Sequence, residues 1–86
     1  GTVTVNYDGS TAIVTYVLDA GWAMDYSQVY AGSDNLPVDP KGKPTTSPGQ
    51  YTSIHYSEVG TSTDTHTITG LSGDIYVIAH ADVFEV

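Results

Sequence analysis

The sequence predicts an all-β fold: a small antiparallel β-sandwich, Ig-like, of about six or seven strands, filling residues 1–86 as one domain. Three observations carry this. Apolar and polar residues alternate with period two in run after run. Turn-forming Gly, Asp, Asn and Pro recur at short spacing between the runs. No heptad, 3.6-residue apolar stripe or internal repeat appears. A chain of 86 residues hides a smaller share of its surface than a longer one, so two thin layers are its economical core.

The first unit is "TVTVNYDGSTAIVTYVL", two alternating runs about Asp8-Gly9. Asp-Gly supplies the positive φ angles of a two-residue type I′ turn, which makes Tyr7 and Ser10 the flanking pair. That register sets Val5 opposite Ala12 and Val3 opposite Val14. Val3, Val5, Ala12, Val14, Tyr16 and Leu18 then share the core face, and Thr2, Thr4, Thr11 and Thr15 the other. After "DAGW", Met24, Tyr26, Gln28 and Tyr30 alternate with Asp25, Ser27, Val29 and Ala31. These faces are less clean, and a short helix competes, but aromatic and β-branched residues before a breaking glycine favour a strand.

Residues 32–50 contain all four prolines and no periodicity, so they form a long Pro/Gly-rich loop. A connection this long in so small a domain is more often functional than decorative. Strands return in "YTSIHYSEV" and "TSTDTHTIT", joined near Gly60. A turn at "GLSG" leads to the closing run "IYVIAHADVFEV". A two-residue loop at Gly60 sets His55 beside His66 on one face, and the "GLSG" turn sets Thr63 opposite His80.

The closing run sends Ile75, Val77, Ala79, Ala81 and Val83 to the core side, and Tyr76, Ile78, His80, Asp82 and Phe84 to the other. A strand apolar on both sides is normally covered on both, here by the proline-rich loop or a neighbouring molecule. Tyr76, Ile78, His80, Phe84 and Val86 are therefore the candidate assembly interface. For His80 and Asp82 the simpler account is a pair held by backbone hydrogen bonds. The apolar end at Val83, Phe84 and Val86 is either paired in a sheet or an edge that recruits other strands.

Charge narrows the partners. Ten acidic residues against two lysines and no arginine give a net charge of −8, which repels phosphate backbones and anionic lipid, so neither nucleic-acid binding nor membrane insertion is expected. Seven tyrosines and twelve threonines are not a disordered composition. Without cysteine there is no disulfide framework and no thiolate metal site. Gly1 opens directly on a strand pattern, with no signal peptide or transmembrane run, as in a processed or excised piece. An acidic, Thr-rich, cysteine-free chain suits a secreted or cell-surface protein.

The side chains that carry chemistry are few. Trp22, Tyr30 and Tyr51, with Tyr26, offer stacking surfaces for sugars, although aromatics of this kind more commonly pack in cores. Asp34 and Asp39, or Asp19 and Asp25, could supply oxygen ligands to calcium, which prefers carboxylates and backbone carbonyls on loops, but no EF-hand or glycine-aspartate repeat spacing is present. No other cofactor is indicated. His55 and His66, or His80, with Asp64 or Asp82 make a divalent-metal donor set that lacks a fixed third ligand, and cross-strand polar neighbours are routine. Thr61, Thr63, Thr65, Thr67 and Thr69 form a hydroxyl-methyl row, too narrow alone for an ice plane. No Gly-x-Ser-x-Gly elbow, phosphate-cradling glycine loop or His-Glu-x-x-His helix exists, so an enzyme is not expected.

"QVYAGSDNLP", "SPGQYT" and "LSGDIYVIAHADV", in that order, resemble a module of secreted and cell-surface bacterial and archaeal proteins, over about residues 22 to 83. In that module a strand ending Val-Tyr-x-Gly leads to a Leu-Pro loop, a Pro-Gly-Gln-aromatic turn and a final strand reading Ala-His-Ala-x-Val. Trp22, Val29, Tyr30, Gly32, Pro37, Pro48, Gly49, Gln50, Tyr51, Gly73, Tyr76, His80 and Ala81 stand at the motif positions. The resemblance implies a β-sandwich of adhesin-like proteins with no settled activity. Members often carry a cysteine that this chain lacks. The reading is a non-enzymatic extracellular structural or adhesive module, a fibre subunit or one bead of a larger surface protein. It would assemble through strand edges with copies of itself or neighbouring domains. The alternative is a carbohydrate- or calcium-binding module of a secreted protein, with glycans as partners.

Overall fold

Six strands follow one another in the computed structural model, which describes residues 1–47, 49 and 51–86. They are β1 (Thr2–Tyr7), β2 (Ala12–Val17), β3 (Trp22–Gly32), β4 (Ser53–Thr61), β5 (Thr63–Ile68) and β6 (Tyr76–Glu85). All pairings are antiparallel, in two three-stranded sheets ordered β1-β2-β5 and β4-β3-β6. The small antiparallel sandwich expected from period-two alternation is the fold observed. Its strand order places β1, β2 and β5 where an Ig sandwich has A, B and E, and β4, β3 and β6 where it has C′, C and F.

The core lies between the sheets. Val14, Tyr16 and Ile68 of the first meet Met24, Val29 and Ala31 of the second, flanked by Leu18, Leu71, Val77 and Ala81. Each fully buried aliphatic side chain contributes about 1.5–3 kcal/mol. Tyr16 also spans the layers with its phenol, which donates to the carbonyls of Gln28 and His80 at 2.8 Å each. Burial pushes its pKa up to about 12.

Four details differ from the sequence reading. The first turn is centred on Gly9-Ser10, not Asp8-Gly9, so Val5 faces Val14 and Val3 faces Tyr16. Asp8 Oδ1 accepts the amides of Ser10 at 2.9 Å and Thr11 at 2.7 Å, which holds Asp8 at the flank and leaves the positive φ of 98° to Gly9. The slip is two residues, an even number, so every side chain keeps its face. Val3 and Val5 nevertheless stay 50 % and 43 % exposed, because β1 is an edge strand whose inner side looks past the opposing sheet.

The third strand is unclean for a physical reason. Its register shifts between Met24 and Tyr26, so Asp25 is bulged out and the inward set changes from even to odd numbers: Met24, then Ser27, Val29 and Ala31. The third difference is the partner of β4. No hairpin joins it to β5: a single residue, Ser62, separates them, and the chain passes there from one sheet to the other. Thr63 therefore faces Val17 of β2, and His80 faces Gln28 of β3.

The long loop is the fourth. Its hydrogen bonds are mainly local: Val38 bridges Pro44, and Asp39 Oδ1 accepts the amides of Lys41 and Lys43. The cover expected over the outer face of β6 is not supplied by this loop, since Tyr76 remains 55 % and Phe84 40 % exposed. Pro48 and Gln50, two of the motif positions, lie outside the described residues.

Candidate functional site

Two places on the sandwich concentrate side chains that the core does not require. The first is the outer face of the second sheet. Pairing of β6 with β3 sets Tyr76 beside Gly32, Ile78 beside Tyr30, His80 beside Gln28, Asp82 beside Tyr26 and Phe84 beside Ala23. On the other flank of β3, Tyr56 faces Tyr26 and Ile54 faces Gln28. The face thus carries Phe84, Tyr26, Tyr56, Ile54, Ile78 and Tyr76, with Gln28, His80 and Asp82 set among them; Ile78 is half-buried and the other five apolar and aromatic residues are exposed.

Local structure shapes that face. Phe84 lies over Gly60, whose φ is +84°; a Cβ there would sit 2.6 Å from the Phe84 ring and 3.2 Å from Ala23. Gly60 is thus required both by its backbone angle and by the ring above it. His80 Nδ1 is 2.9 Å from Gln28 Oε1, and its Nε2 is 3.9 Å from Asp82. The polar pair inside the apolar closing strand is therefore answered by side chains of the same face. Val86 stands at the end of the sheet, its amide donating to the carbonyl of Gly21 at 2.8 Å.

The aromatics expected to stack on sugars are dispersed. Trp22 is exposed at one end of β3, beside Leu18, Asp19 and Val83. Tyr30 is buried eight residues along the strand, roughly 26 Å away, with its hydroxyl donating to the carbonyl of Asp34 at 2.8 Å. Tyr51 is half-buried in the loop preceding β4. The aromatic pair that does form is Tyr26 with Tyr56, ring centroids 4.8 Å apart and tilted by 47°. Tyr56 escaped the sequence reading, although its alternation with Ile54 is the signal that puts both on one face.

The second place lies between the sheets where β4 faces β5, directly beside Val14 and Tyr16 of the core. His55 of β4 and His66 of β5 stack with ring centroids 3.8 Å apart and planes within 9°. Asp64, two residues before His66, turns to the same interior. Its Oδ2 lies 2.9 Å from His55 Nδ1 and 3.3 Å from His66 Nε2, and also accepts the Ser27 hydroxyl. Ser27 Oγ is 2.8 Å from His66 Nε2, and Ser53 Oγ is 2.7 Å from His66 Nδ1. No buried side-chain polar atom among the described residues lacks a partner. A cavity of about 60 Å³ opens beside His55, Asp64, Ser27 and Tyr56.

Electrostatics there follow from burial. Removal from water holds His66 below the usual histidine pKa, with His55 adding to the effect. Burial alone would raise Asp64, but hydrogen bonds from Ser27 and His55, with the charges of both histidines, leave it below the ordinary carboxylate range. The adjacency of His55 and His66 was anticipated as a cross-strand pair; they meet instead face to face across the two layers. Ser27 and Ser53 were not anticipated, because the bulge at Asp25 decides which side Ser27 takes.

The loop carboxylates are engaged differently. Asp39 caps its own turn, and Asp34 is linked to Tyr30 through its backbone carbonyl. Among the described residues, the three-residue group whose ligand atoms converge is His55, Asp64 and His66, and it includes neither Asp34 nor Asp39. The threonine row is broader than one strand shows. Thr63, Thr65 and Thr67 of β5 align with Val17, Thr15 and Ile13 of β2, and these with Thr2, Thr4 and Asn6 of β1. No protein-family model, curated protein or solved structure matches this chain.

Proposed function

We propose that this domain is a non-enzymatic structural or adhesive module of an extracellular or cell-surface protein. It meets copies of itself or neighbouring domains through the outer face and free edge of β6. The observation that carries the reading is that Tyr26, Ile54, Tyr56, Tyr76 and Phe84 are all exposed on one side of so small a sandwich, a concentration of large apolar and aromatic side chains of the sort found at contact sites. The edge of β6 adds to it. In the Ig order another strand lies beside the F position, and among the described residues β6 pairs only with β3, so its ten residues leave one row of backbone groups unpaired. A strand added there gains main-chain hydrogen bonds for strength and alternate side chains for register. The resemblance to adhesin-like secreted modules points the same way.

Light scattering over a concentration series, with micrographs of the purified material, tests this. Association that grows with concentration and disappears on deleting Val83–Val86 is the expected result. A chain that stays a compact monomer throughout, indifferent to that deletion, overturns the fibre form. The Tyr26–Tyr56 pair, exposed beside a cavity, favours carbohydrate as a second reading. A glycan array with calcium titration by calorimetry separates the two, since silence in both leaves only the structural role.

A further inference from the structure

We propose that His55, Asp64 and His66 bind one divalent transition-metal ion of the zinc class, which ties β4 of one sheet to β5 of the other. The ligand atoms of all three lie within 4.8 Å of one another. Tetrahedral ligands at about 2.0–2.1 Å from an ion are about 3.3 Å apart. Asp64 Oδ2 is 2.9 Å from His55 Nδ1 and 3.3 Å from His66 Nε2, so two of the three edges already have nearly this length. Two imidazoles and one carboxylate with a fourth position open is a zinc donor set, and the cavity beside His55 and Asp64 has room for a water there.

The surrounding groups suit the ion. Once Nε2 takes the ion, the ring proton of His66 sits on Nδ1 and is donated to Ser53 Oγ, 2.7 Å away, which fixes the ring. Ser27 hydrogen-bonds the ligating carboxylate oxygen. One movement is required. Parallel rings cannot both direct an in-plane lone pair at one ion, so His55, whose side chain is 44 % exposed, turns out of the stack while Ser53 holds His66 through Nδ1 and the ion replaces Ser27 at Nε2. This site is independent of the assembly reading, because it lies inside the sandwich rather than on its outer face.

Titration of the metal-free chain with Zn²⁺ by calorimetry, and with Co²⁺ by visible absorption, tests the site. The expected result is one ion per chain, with Co²⁺ bands of a four-coordinate complex. A hundredfold excess of Zn²⁺ over its Kd raises the melting temperature by about 10 °C or more. His55→Ala, at an accessible position, folds but loses these signals, whereas Glu58→Gln on the same strand keeps them. The ring protons of His55 shift on loading as the stack opens. No uptake of either ion by the folded chain, or uptake that survives His55→Ala, overturns the proposal.

Discussion

The two outer faces of this sandwich are built on the same strand geometry and could hardly differ more in chemistry. Over β1-β2-β5 the outward rows are Thr2-Val17-Thr63, Thr4-Thr15-Thr65 and Asn6-Ile13-Thr67, without a charge or an aromatic ring. Over β4-β3-β6 the outward rows carry Tyr26, Tyr56, Ile54, Ile78, Tyr76 and Phe84, together with Gln28, His80 and Asp82. Threonine packs well on a pleated surface while water satisfies its hydroxyl, so the first face is content in solvent. The second leaves Tyr56 60 % exposed with a tilted aromatic neighbour. Both sheets need only their inner faces to fold. The outer faces are consequently free to report what each sheet meets.

That contrast presumes one shared interior, and the largest expected effect comes from breaking it. Met24→Ala, at a fully buried site between the layers, should cost about 2–5 kcal/mol, read by denaturant unfolding, with both sheets lost in one transition. Separate transitions for the two faces would show that they do not ride on a common core. Next is Tyr16→Phe, which removes the phenol shared by the Gln28 and His80 carbonyls, at about 0.5–1.5 kcal/mol.

The same residue has a pH signature. Its folded pKa of about 12 lies above the ordinary value of 10.0, so its contribution is complete below pH 10 and lost as pH rises through 12. Tyr16→Phe should flatten that alkaline loss in a series of melts, and an unchanged slope would assign it elsewhere. The smallest effect on stability sharpens the comparison directly. Tyr76→Ser with Phe84→Ser, and separately Thr4→Ser with Thr65→Ser, should each change monomer stability by only about 0.5–1 kcal/mol. Sedimentation should nonetheless show association lost in the first pair and kept in the second. Equal behaviour would mean that the aromatic face is not the contact surface.

Part of the candidate sites was legible beforehand. Alternation in "IYVIAHADVF" separated Val77 and Ala81, which pack on the core, from Tyr76 and Phe84, which do not. The proximity of His55 and His66 was visible as well, though through a hairpin that does not form. What could not be read was Asp64 completing the group with Ser27 and Ser53, because these residues come from three strands in two sheets. Trp22, Tyr30 and Tyr51 looked like a platform only while their distance along β3 and the loop was unknown.

Residue order by itself determined the six strands and the side taken by each residue within a regular run. Pleating, turn chemistry and β-branched packing are local, and an even slip of register, as at Gly9-Ser10, leaves them intact. Strand partnership was decided only in three dimensions. Nothing in "YTSIHYSEV" prefers β3 to β5, since both offer the same backbone ladder. The choice falls to whichever arrangement closes the two layers over Met24, Val29 and Val14, with Ser62 as the single residue that carries the chain between them. Burial of a common interior is a property of all strands at once, which is why His55 and His66 meet face to face across it rather than side by side.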